Sequence, residues 1–105
     1  GISATVARVC AQVGHLVKIQ VEVDTLAQLE ELLTTQADAV LLDNMAPDQL
    51  RAAVALVDGR LTTEASGGIR PETLKEIAAS GVDVISLGWL THSAPALDVG
   101  LDFRS

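Results

Sequence analysis

Apolar and polar residues alternate along Lys18-Ile19-Gln20-Val21-Glu22-Val23-Asp24, the period of a strand with one buried face. Three more short apolar runs follow, at 39–43, 61–65 and 83–87, and between them the period changes to that of helices. A first helix is predicted from Ser3, as its N-cap, to Val13, with Gly14 ending it. Thr25 with Gln28 has the form of a capping box, and Leu26, Leu29 and Leu33 mark the buried face of the next helix, leaving Glu30 and Glu31 to water. Pro47 opens a third helix with Leu50, Ala53, Val54 and Val57 inward, stopped by Asp58-Gly59. Pro71 opens a fourth with Leu74, Ile77 and Ala78 inward, stopped by Ser80-Gly81. Helix and strand alternate four times, which predicts the α/β class with parallel β/α units.

Glu22, Asp43 and Glu64 stand 21 residues apart, each at the end of a strand-like run, and Ser86 stands 22 beyond Glu64. Such regularity predicts one repeated unit that delivers a side chain to the carboxyl rim of a sheet, where functional groups of parallel folds gather. Helices must cover the apolar face of the first strand, so Lys18, Gln20, Glu22 and Asp24 lie on the other side, the interior of a closed barrel. A complete barrel takes eight strands and about 250 residues. Residues 1–105 are therefore expected to form one partial domain, the C-terminal half of an incomplete (β/α) barrel, without an N-terminal domain or the first barrel strands.

Composition narrows the chemistry. Hydrophobic residues make up 49% of the chain but Trp89 and Phe103 are its only aromatics, so the core must be built from Leu, Val, Ile and Ala. The net charge of −7 argues against a nucleic-acid partner, which would need excess Lys and Arg, and sits awkwardly with a phosphorylated substrate. Cys10 is the single cysteine, and its helical spacing with Val6, Val9 and Val13 reads as core. No run of about 18 apolar residues exists to cross a bilayer, and no basic-then-apolar leader opens the chain. A cytoplasmic protein with no membrane partner is expected. His15 reads as an ordinary surface residue.

Ser66-Gly67-Gly68 follows a strand and precedes the helix at Pro71, where glycines let backbone N–H groups approach an anion beside a helix N-terminus. Gly88 lies at the same rim one unit later, followed by Trp89-Leu90-Thr91-His92-Ser93, and two such loops can clamp one phosphate. Several readings stay open at this point. The Ser-Gly-Gly turn serves a phosphate or only the chain reversal; His92 binds phosphate or caps its segment; Glu64 takes part in the site or fixes the Ser66 turn. Glu22 and Asp43 are either satisfied carboxylates, bonded for instance to Lys18, or acids that hold a divalent cation, ribose hydroxyls or developing positive charge.

Val21-Glu22-Val23-Asp24, Leu41-Leu42-Asp43-Asn44, Glu64-Ala65-Ser66-Gly67-Gly68-Ile69, Gly88-Trp89-Leu90-Thr91-His92-Ser93 and Leu97-Asp98-Val99-Gly100-Leu101-Asp102-Phe103, in that order, resemble the C-terminal half of the quinolinate phosphoribosyltransferase family. The resemblance implies transfer of phosphoribosyl from phosphoribosyl pyrophosphate to quinolinate, with decarboxylation, giving nicotinate mononucleotide, pyrophosphate and carbon dioxide. It implies that Glu22 and Asp43 act near the ribose and its Mg2+, directly or through water, and that Ser66, Gly67 and Gly88 bind the 5-phosphate with His92 beside them. It implies a homodimer or higher homo-oligomer. The family's basic Lys, Arg and His cluster lies upstream of the matched region, which accounts for the acidity of these residues. Gln20 departs from an acid often found two residues before Glu22. A related barrel protein associated with molybdenum transport shares these motifs, and a non-catalytic half-barrel that only folds or self-associates is the reading from another class.

Overall fold

In the computed structural model the described residues are 1–13, 17–87 and, as backbone, 91–93. Nine elements run α1 Ile2–Gln12, β1 Gln20–Val23, α2 Leu26–Leu32, β2 Ala39–Asp43, α3 Pro47–Val57, β3 Thr62–Ser66, α4 Pro71–Ala79, β4 Val84–Ser86 and β5 Thr91–Ser93. The strands form one sheet in sequence order, β1 to β4 parallel and β5 antiparallel to β4. The α/β alternation is as predicted, whereas β5 is not. His92, opposite Ile85 in that ladder, belongs to a short strand rather than to a loop.

Local chemistry explains most boundaries. The Gln28 N–H donates to the Thr25 hydroxyl at 3.1 Å, while the Gln28 side chain accepts from the N–H of Asp24, one residue earlier than a reciprocal box requires. Pro47 and Pro71 both occupy the first helical turn, and Asp58 ends α3 in the left-handed conformation at φ 51°. Ser3 is not the N-cap of α1. Gly1 holds that position, and Ser3, inside the helix, donates its N–H and hydroxyl to Glu31 Oε2 at 3.3 and 3.0 Å, clasping α1 to α2. Gly14 and His15 lie outside the described residues.

Val23, Val40, Leu42, Ala65 and Ile85 from alternate strand positions pack with Leu29, Leu32, Leu50, Ala53, Val57, Leu74 and Ile77 from the helices into one core. Two details differ from the helical-wheel expectation. Leu32 is buried completely while Leu26 and Leu33 only border the core. Cys10 is half-buried and Val9 exposed, because α1 packs on α2 through Val6 rather than being enclosed by neighbours on all sides.

Two aspartates at equivalent places pin the amino ends of the strands. Asp38 accepts from the Ile19 N–H at 2.8 Å, and Asp83 accepts from the N–H and hydroxyl of buried Thr63 at 2.8 and 3.1 Å. Each acid directly precedes one strand and satisfies an N–H at the amino end of the neighbouring one, just before β1 at Ile19 and within β3 at Thr63. Lys18 pairs with Asp38 at 4.0 Å, so it belongs to this amino end and not to Glu22 or Asp43.

Candidate active site

The other face of the sheet carries the candidate chemistry. Pairing places Glu22 opposite Leu41, Leu41 opposite Glu64 and Glu64 opposite Val84, so Glu22 and Glu64 share one row across the sheet. Asp43 pairs with Ser66 in the next row toward the carboxyl rim. The three acids thus share a face but not a level: the ladder offset is 19 residues from β1 to β2 and 23 from β2 to β3, not 21 twice. Because these offsets differ from 21 by two, the strand period keeps every acid on the same face and moves Asp43 forward one row.

That step brings Asp43 diagonally against Glu22. A hydrogen bond to Asp43 and the charge of Asp43, followed by slight desolvation and the charge of Asp24, raise the carboxyl of exposed Glu22 above its ordinary 4.5. Two acids in contact favour a shared proton or a cation between them. Among the described residues no group of three metal-ligating side chains exists, so what these residues offer a cation is the Glu22–Asp43 pair.

Ser66 is the last residue of β3, not the first of a loop. Its carbonyl accepts from the Asn44 N–H at 2.8 Å, and Asn44 is itself left-handed at φ 56°. Gly67 and Gly68 both have positive φ. A Cβ on Gly67 would stand 2.6 Å from Asp43 Oδ1, and one on Gly68 2.8 Å from Asn44 Oδ1. The turn after β3 therefore lies directly on the Asp43-Asn44 turn after β2, and glycine is what lets them meet. Met45, 7% exposed, anchors the second turn in the core.

Of the two readings of Glu64, fixing the Ser66 turn has no hydrogen bond behind it among the described residues. Asn44 bonds to Ser66 instead, while Glu64 Oε1 accepts from the Gln20 amide at 3.1 Å across β2. Asn44 stands in one of the quoted motifs and Gln20 is noted only as a departure from an acid; what sequence reasoning missed is the partner that each finds across the sheet. Gly88 and the side chain of His92 lie outside the described residues. A cleft of about 570 Å³ opens between α1 and the end of α2, lined by Ser3, Ala7, Cys10 and Thr34 to Gln36. It is separate from the strand rim.

The motifs on this rim have a match over almost the whole chain. Residues 1–102 match the family model of the C-terminal domain of quinolinate phosphoribosyl transferase. The chain belongs to that family. A probable carboxylating nicotinate-nucleotide pyrophosphorylase of Bacillus subtilis is 45% identical over 89 residues, 85% of this chain and 31% of the relative. The carboxylating nicotinate-nucleotide pyrophosphorylase of Rattus norvegicus is 37% identical over 91 residues, 84% of this chain and 30% of the relative. The nicotinate-nucleotide pyrophosphorylase structure from Ehrlichia chaffeensis superposes with a TM-score of 0.80 at 34% identity, covering 85% of this chain and 32% of that one. The chain thus spans about a third of the length of these family members, and its β/α units correspond to part of their fold.

Proposed function

We propose that this family domain supplies the ribose-phosphate side of an active site that transfers phosphoribosyl from phosphoribosyl pyrophosphate to quinolinate and releases pyrophosphate and carbon dioxide. The observation that carries the reading is the Asp43 carboxylate set against the Gly67 turn, with Glu22 beside Asp43: two acids next to a glycine turn that can offer its backbone to an anion. In the reaction the C1–pyrophosphate bond breaks as the ring nitrogen bonds to C1. The 2-carboxylate then departs as carbon dioxide, and the ring carbon takes a proton.

Glu22 and Asp43 face the cationic character that develops on the ribose, and charge placed before the reaction stabilises the transition state more than the ground state. They also orient the ribose hydroxyls as acceptors. Ser66 offers its hydroxyl, and Gly67 its backbone, to the 5-phosphate, with Gly88 and His92 as the further groups of that cradle. The same two carboxylates fit Mg2+, which commonly takes one or two acids plus substrate phosphates. When bound it offsets charge on the leaving pyrophosphate. Cations that receive quinolinate come, in this reading, from upstream sequence, which suits the net charge of −7 here. A cytoplasmic homodimer or higher homo-oligomer completes the proposal; among the described residues no helix is long and apolar enough to cross a membrane.

The test is formation of nicotinate mononucleotide by the full-length polypeptide. Glu22→Ala and Asp43→Ala should each lower kcat at least tenfold, the equivalent of about 1.4 kcal/mol of transition-state stabilisation. Turnover within about twofold of the parent in both variants would overturn the assigned role.

A further inference from the structure

Glu64 presents a problem for a phosphate site. It lies two residues before Ser66 on the same strand and the same face, so its side chain emerges about 7 Å from that of Ser66. An anionic carboxylate free to lean toward the rim would repel the phosphate that the turn is built to receive. The side chain leans the other way. Gln20, one row nearer the amino end of the sheet and two strands away, donates its amide to Glu64 Oε1 at 3.1 Å. The bond passes over β2, from the row of Ala39, which is paired with Gln20, to the row of Leu41, which is paired with Glu64.

We propose that Gln20 is a positioning residue that holds the Glu64 carboxylate back from the phosphate cradle and so tunes affinity for the phosphorylated substrate. The inference rests on the proposed function. Gln20 touches neither of the reacting carbons in this reading; it acts through Glu64.

The test uses steady-state kinetics of the full-length polypeptide, varying each substrate in turn. Gln20→Met removes the donor while keeping the length of an exposed side chain. It should raise KM for phosphoribosyl pyrophosphate by about fivefold, leaving kcat and KM for quinolinate within about twofold. Adding Glu64→Gln to Gln20→Met should bring the donor KM back to the parent value, since a neutral side chain released toward the cradle repels nothing. A role confined to packing would show no such rescue. An active parent whose donor KM is unmoved by Gln20→Met, or a double variant no better than the single one, overturns this inference alone. A parent enzyme that forms no nicotinate mononucleotide overturns the functional reading beneath it.

Discussion

A methyl group on Gly67 would meet Asp43 Oδ1 at 2.6 Å, whereas one on Gly59, also at positive φ, would meet nothing within 4 Å. The pair separates two costs of replacing glycine. Gly59→Ala should lose about 1 to 2 kcal/mol, the left-handed penalty alone. Gly67→Ala should lose more and also displace Asp43, so its kinetic defect should appear in kcat as well as in affinity for phosphoribosyl pyrophosphate; chemical denaturation and initial rates read the two effects. Glu22 adds a pH dependence of opposite sign to the usual acid. Its folded pKa lies above 4.5 because the protonated carboxyl can hydrogen-bond to Asp43 and the ionised one is repelled by it, so the fold is weaker above that folded value and the penalty is relieved as pH falls through it. Glu22→Gln should therefore raise Tm at neutral pH without metal, with the gain shrinking as pH approaches 4.5. A gain that stays constant with pH would contradict the contact. The partners of Gln20 and Asn44 were illegible in the sequence because they lie 44 and 22 residues away and become neighbours only through the sheet.

Elements were legible to the extent that local chemistry defines them. Prolines at the first turns of α3 and α4, the Thr25 cap and the left-handed Asp58 all acted where the sequence placed them. Register was not legible, since it depends on how many residues each crossover consumes. Helix α2 has 7 residues and α3 has 11, which is why consecutive ladder offsets are 19 and 23 although the acids are evenly spaced. The structure instead pins register through acids at the amino ends of strands. Asp83→Ala should cost about 1 to 3 kcal/mol, because the buried Thr63 N–H loses its acceptor. A loss no greater than that of an exposed control such as Glu72→Ala would show that the backbone ladder alone aligns β3 and β4.

At the scale of the whole molecule, the parallel sheet has its helices on one face and a polar site on the other, and β1 stands at its edge with a row of backbone groups that pair only on the β2 side among the described strands. An edge of this kind is a template for another strand. The 105 residues produced by themselves should therefore self-associate, but against the repulsion of copies that each carry −7. Salt decides between these opposing terms. The screening length falls from about 30 Å at 0.01 M to about 10 Å at 0.1 M, while backbone pairing is almost indifferent to ions. Association should consequently strengthen as ionic strength rises, the reverse of an interface held by ion pairs. Sedimentation velocity across that range measures it. A monodisperse monomer at every salt concentration, unfolding in one cooperative step, would mean that the edge is protected and that the two-layer core is sufficient by itself.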